Sequence, residues 1–83
     1  NVHIKDIRIE RAAHKMGFAV RGAAAGEGII DIPAITAHLK EIGRCKTATL
    51  EIWSDPLDST AGTLSNERAL AERSIHYLKQ ILI

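Results

Sequence analysis

Two short alternating segments set the terms for this chain. Val2-His3-Ile4-Lys5-Asp6 and Thr47-Ala48-Thr49-Leu50-Glu51-Ile52-Trp53 each alternate apolar and polar residues. Side chains along a strand point to opposite faces in turn. Val2 and Ile4 therefore share one face, and His3 and Lys5 the other. In the second segment Ala48, Leu50 and Ile52 oppose Thr47, Thr49, Glu51 and Trp53. The first strand is expected over Val2 to Lys5 and the second over Thr47 to Trp53. A helical pattern follows each. One helix opens near Pro33 with Asp31 as a cap, carries Ile35, Leu39 and Ile42 on one face, and stops at Gly43. The other runs from about Ser65 to Leu82, with Ala71, Ile75, Leu78 and Leu82 as its stripe. Glu67 near its start and Lys79 near its end suit the helix dipole. Strand, helix, strand, helix in that order makes two parallel strands with a right-handed crossover, an α/β arrangement.

The intervening chain is harder to read. From Asp6 to Gly28 the expectation is a long, partly ordered connection. Ile7 and Ile9 continue the alternation, Ala12 to Met16 suits a helical turn, and Phe18-Ala19-Val20 suits a short extended piece. Gly22, Gly26 and Gly28 interrupt the stretch, and connections of this length in compact domains are often functional. Ser54-Asp55-Pro56 ends the second strand. Leu57 to Thr63 reads as a loop.

Composition narrows the function classes. The 83 residues are 46% hydrophobic with few aromatics, the palette of helices on a buried sheet. A net charge of +1 with mixed signs advertises neither nucleic acid nor an acidic membrane. The single Cys45 excludes an internal disulfide and suits a reducing, cytoplasmic setting. No apolar run is long enough to span a bilayer. A pair of parallel strands has two open edges, and parallel sheets are normally covered or closed. Either further chain or further copies are expected to supply the missing strands. The start at Asn1, directly in a strand, gives the same impression of a piece of something longer.

The candidate chemistry lies on the polar faces. His3 and Glu51 each stand near the C-terminal end of a strand and off its apolar face. That is where metal ligands and proton-transfer groups are found in open and closed α/β sheets. A carboxylate between Leu50 and Ile52 is costly to bury unless it is paired or metal-bound. The plainer alternative for Glu51 is a salt bridge to Lys5, and for His3 an ordinary interior histidine.

Taken in order, Val2 to Asp6, Gly26 to Ile35, Leu39 to Gly43, Leu50-Glu51, and Ser74 with Tyr77-Leu78 resemble the C-terminal part of a xylose-isomerase-like TIM barrel. The nearest groups are the sugar-phosphate isomerases and epimerases, with tagatose/psicose-type 3-epimerases and inosose dehydratases among them. The resemblance implies a fragment holding the last two β-α units of a (β/α)8 barrel, about a quarter of some 250 residues. It also implies a divalent metal (Mn, Co, Mg or Zn) at the barrel mouth. His3 and Glu51 would be two of its ligands, with a Glu and an Asp from upstream strands. It further implies that Glu51 exchanges a proton with a substrate carbon beside a carbonyl. An arginine of the connection is expected to touch the sugar or sugar phosphate. Arg8, Arg11 and Arg21 are available, with Arg8 and Arg21 preferred. Trp53 has two uses, stacking on the sugar or plugging the barrel end.

Rival readings keep the barrel or abandon it. A dehydratase of a cyclic polyol or a dehydroshikimate-like acid would use the same metal. An abasic-site nuclease needs a larger, His-rich site and a basic groove, which this chain does not offer. A non-catalytic module would self-assemble through its strand edges. His14, His38 and His76 read as surface or helix-flank residues, Cys45 as inert, and Asp6 as a turn residue at the strand end. Gly26-Glu27-Gly28 resembles a phosphate cradle, although its glycines more simply serve positive φ angles.

Overall fold

A computed structural model describes residues 1–13 and 16–82. The expected parallel pair is present. β1 (Val2–Ile4) lies beside β4 (Ala48–Leu50), with Val2 opposite Ala48, His3 opposite Thr49 and Ile4 opposite Leu50. The ladder extends one bond beyond each end, from Val2 N–H to the Thr47 carbonyl at 3.1 Å and from Glu51 N–H to the Ile4 carbonyl at 2.8 Å. Both strands are shorter than expected. The chain leaves the pair at Lys5 to begin a second sheet, so Ile52 and Trp53 have no ladder mate.

That second sheet corrects the reading of residues 6–28 as a partly ordered connection. β2 (Asp6–Arg11) and β3 (Phe18–Ala23) form an antiparallel hairpin with six paired positions, from Asp6 opposite Ala23 to Arg11 opposite Phe18. Paired residues share a face, so Ile7, Ile9, Val20 and Phe18 lie on one side and Arg8, Glu10 and Arg21 on the other. Ile9, Val20 and Phe18 are exposed. The helical turn expected over Ala12–Met16 includes residues 14 and 15, and it falls with His14 outside the described residues.

α1 (Ile32–Ile42) begins and ends as its sequence dictates. The Asp31 carboxylate accepts from Ala34 N–H at 3.1 Å, and Pro33 occupies the first turn. Gly43 adopts φ 71°, and its N–H caps the Leu39 carbonyl at 3.1 Å. The buried face is rotated from the expected stripe. Ile32 and Thr36 are buried, while Ile35 and Ile42 are exposed. α2 spans Thr60–Leu82 and starts five residues before the expected Ser65. Ser59 caps it, its hydroxyl accepting from Gly62 N–H at 2.9 Å. The first turn therefore holds no acidic residue. Glu67 instead accepts from the Ser54 hydroxyl at 3.0 Å. On this helix Ser74 and Leu78 are buried and Ile75 is exposed.

The core sits between the helices and the apolar face of the β1–β4 pair. Ile4, Ala25, Ile32 and Leu78 are buried together, flanked by Val2, Ile30, Leu50, Ile81 and Leu82. Among the described residues no helix is long and apolar enough to cross a membrane.

Asp6 joins the two sheets. Its carboxylate is 1% exposed and takes four backbone N–H groups. Oδ1 accepts from Ile7 at 2.8 Å and Ile30 at 3.1 Å. Oδ2 accepts from Gly26 and Gly28, both at 3.0 Å. Gly26 has φ 89°, as expected for this turn. A Cβ on Gly28 would overlap the Asp6 carboxylate itself. The turn that resembles a phosphate cradle is thus occupied by a carboxylate of the same chain, and of its two glycines expected to serve positive φ only Gly26 does so. Ser74 completes the anchorage, accepting from Ala25 N–H at 2.9 Å and donating to the Leu70 carbonyl at 2.7 Å.

Candidate functional site

The polar face of the β1–β4 pair carries a continuous row of functional groups. At its N-terminal end Asn1 and Thr47 share a 2.8 Å hydrogen bond, and Asn1 donates to the Thr49 hydroxyl at 3.3 Å. At its C-terminal end lies the pair singled out by alternation. His3 Nδ1 stands 2.7 Å from Glu51 Oε1. Parallel pairing explains the contact. His3 is level with Thr49, and Glu51 is the next residue on the same face, one diagonal step away.

Glu51 differs from expectation in one respect. It follows the last residue of β4 and its side chain is 43% accessible, so burial cost does not explain its partners. The carboxyl is held below the ordinary glutamate range chiefly by the hydrogen bond from His3, which with the smaller contributions of the His3 and Lys5 charges outweighs the desolvation that would raise it. An ionised carboxylate only accepts, so the contact requires a hydrogen on His3 Nδ1. Lys5 Nζ lies 3.8 Å from Glu51 Oε2 and 5.7 Å from the centre of the Trp53 ring. The Lys5 salt bridge, the plainer alternative to metal ligation for Glu51, is present on Oε2, while His3 occupies Oε1.

Trp53 links this row to a second cluster. Arg8, Arg21, Trp53, Asp55, Asn66 and Arg73 line a cleft of about 250 Å³. Arg21 donates to Glu10 at 3.1 Å and to Asp55 at 2.7 Å. These contacts raise its pKa, the Glu10 hydrogen bond contributing most. Arg8 lies across the hairpin from Arg21 and 3.6 Å from Glu10. Arg73 pairs with Glu27 at 2.8 Å. Arg11, at the far end of β2, is not among the cleft residues. The hairpin can approach Trp53 because residue 22 is glycine; a Cβ there would overlap the Trp53 carbonyl oxygen.

The structure thus brings His3, Glu51, Lys5 and Trp53 together on one row and Arg8 and Arg21 together beside Trp53. His38 and His76 lie on the helices, as expected, with partners Glu41 and Gln80. Sequence reasoning missed two participants. Asp55 was read only as a strand terminator. Asp6 was read as a turn residue, although two closely spaced glycines downstream signal a tight approach of backbone to some acceptor.

Comparison with known families places these groups in context. Residues 1–81 match the xylose isomerase-like TIM barrel family. The chain belongs to that family. No curated protein and no solved structure matches it. The resemblance implies a divalent ion, and the donor types of the polar row bear on it. Because His3 Nδ1 carries the hydrogen shared with Glu51 Oε1, the imidazole can donate to an ion only through Nε2 in this arrangement. Imidazole nitrogen and carboxylate oxygen are suitable ligand types. Among the described residues no three His, Cys, Asp or Glu side chains gather into a metal-holding cluster. The pair therefore fits as two donors of a larger set.

Proposed function

We propose that this chain forms the last two β-α units of a barrel that isomerises or epimerises a sugar or sugar phosphate by proton transfer beside a carbonyl. The observation that carries the reading is the His3–Glu51 pair on the polar face of adjacent parallel strands, in a chain of this family. In this reading β1 and β4 contribute their polar row to the barrel interior. Their outer edges pair with the other strands, or with a second copy of the chain.

His3 and Glu51 supply two ligands to a divalent ion, and further carboxylates on neighbouring strands supply the rest. When bound, such an ion polarises a carbonyl and its neighbouring hydroxyl. Glu51 takes the proton from the carbon between them, and the carbon–hydrogen electron pair moves to form the enediolate. The Glu51 carboxyl is ionised and able to accept, although the contacts that lower its pKa also reduce its driving force as a base. Returning the proton to the neighbouring carbon, with the hydroxyl proton passing between the two oxygens, gives the isomer; the epimer forms when a second carboxylate on a neighbouring strand protonates the same carbon from the opposite face and Glu51 keeps the proton it took. His3 holds Glu51 by its Oε1 atom and limits rotation of the carboxylate. Trp53 offers an apolar ring to the sugar face, and Arg8 and Arg21 offer donors to its hydroxyls beyond the ring.

The test is hydrogen exchange. A panel of ketoses and ketose phosphates is incubated with the assembled protein in D2O and followed by proton NMR. The wild type is expected to introduce deuterium next to the carbonyl of at least one sugar. Glu51→Gln is expected to lower that rate by about 10²–10⁴-fold, the range for a positioned general base. Exchange by Glu51→Gln at the wild-type rate removes Glu51 from the proton transfer.

A further inference from the structure

Lys5 has no assigned role in the reading above, yet its placement is unusual. It is the single residue between β1 and β2. On its N-terminal side the Ile4 carbonyl is fixed by Glu51 N–H at 2.8 Å. On its C-terminal side the Asp6 carboxylate is clamped by four N–H groups.

The side chain is held by position rather than by saturation. Alternation places it on the same row as His3 and Glu51, and the Trp53 ring lies against its ammonium at 5.7 Å. Its distance to Glu51 Oε2, 3.8 Å, is too long for a direct hydrogen bond. The ammonium makes no hydrogen bond within 3.5 Å among the described residues, and the side chain is 44% accessible. Three N–H donors on a fixed base, beside the proton-accepting carboxylate, are thus available to a ligand.

We propose that Lys5 is a catalytic residue of this site, donating a hydrogen bond to the substrate oxygen on which negative charge develops. The inference rests on the proton-transfer reading of Glu51. As Glu51 takes the proton from carbon, the bonding pair shifts and the carbonyl π pair moves onto oxygen. Lys5 shares a hydrogen with that oxygen and keeps its own proton. Donors of this kind act on the charge of the transition state more than on the neutral ground state. The ligand class that Lys5 discriminates is therefore the enediolate of an α-hydroxy carbonyl compound, against the uncharged polyol. The ring of Trp53 holds the ammonium near this position, and a lysine here does not need the planar fork of arginine.

Glycolohydroxamate, a two-carbon enediolate mimic, serves as the probe, with ethylene glycol as its uncharged counterpart. Binding of each to the holoenzyme is followed by calorimetry and by the side-chain NMR signals of Lys5. Lys5→Met is expected to weaken glycolohydroxamate by about 10²-fold, in line with loss of one such donor, and to leave ethylene glycol within threefold. In wild type the Lys5 signals are expected to move with the hydroxamate and not with the glycol. Should Lys5→Met fail to fold by its NMR spectrum, Lys5→Ala, which likewise removes the donor, is read by the same criteria. Wild-type hydroxamate affinity in the folded variant, with Glu51→Gln still deficient in exchange, overturns the role of Lys5 and leaves the base assignment standing. Full exchange by Glu51→Gln overturns both.

Discussion

Replacing Asp6 with Asn tests the junction on which the site is built. The substitution keeps the shape of the side chain and changes its donors. Each carboxylate oxygen accepts two N–H groups, Oδ1 from Ile7 and Ile30 and Oδ2 from Gly26 and Gly28. An asparagine retains one acceptor oxygen and turns an amide toward the other two donors. Two charge-assisted hydrogen bonds are lost, each contributing about 1.5–3 kcal/mol, so the expected cost is about 3–6 kcal/mol. A chain of 83 residues has a total stability on the order of 4–12 kcal/mol. The loss is therefore a large share of the whole. With a urea m-value of about 1.5 kcal/mol/M, the midpoint is expected to fall by roughly 2–4 M. Amide hydrogen exchange locates the damage, because one oxygen's pair of donors loses protection while the other pair keeps it. A midpoint within about 0.5 M of wild type, with all four amides still protected, would falsify the claim that this carboxylate holds the turn.

Two further outcomes are expected. Gly22→Ala places a methyl on the Trp53 carbonyl; lifting the hairpin should cost about 1–3 kcal/mol and red-shift the emission of the lone tryptophan, whereas unchanged emission and stability refute the contact. The Glu51 carboxyl should titrate below the ordinary glutamate range in carbon-13 NMR, and His3→Ala should move its midpoint upward. Because the folded-state value is depressed, the stabilisation from this group is full above the unfolded-state pKa. It is lost as pH falls through the folded-state value. Added salt should weaken it, since both side chains are partly exposed. A midpoint that His3→Ala leaves in place contradicts the hydrogen bond as its main cause.

Local rules made the parallel pair, α1 and its caps readable. Asp31, Pro33 and Gly43 act within one or two turns of where they stand, and the period-two alternation of Val2–Lys5 survives in the structure. The hairpin was less legible for a physical reason. Its Ile9, Val20 and Phe18 face is exposed, so no buried stripe marks it, and its turn lacks the Asn-Gly or Asp-Gly signal. Half of its ladder was visible in Ile7–Ile9 and half in Phe18–Val20, but pairing across the turn is long-range information. The start of α2 was missed because Ser59 lies before a polar first turn, where no hydrophobic stripe begins. Within the site, alternation predicted that His3 and Glu51 share a face. It did not predict how far beyond β4 the contact would lie, or that Asp6 would fill the glycine turn.

The arginine cleft has a consequence for selectivity. Arg21 reaches it already matched by Glu10 and Asp55, Arg8 lies near Glu10, and Arg73 is engaged by Glu27. An incoming dianion would have to dislodge an acidic neighbour before reaching a guanidinium face. A polyhydroxylated visitor meets no such toll, because its oxygens can join the existing pairs as both donors and acceptors. Under the proposed function, this internal neutrality predicts tighter binding of the bare carbohydrate than of its esterified form.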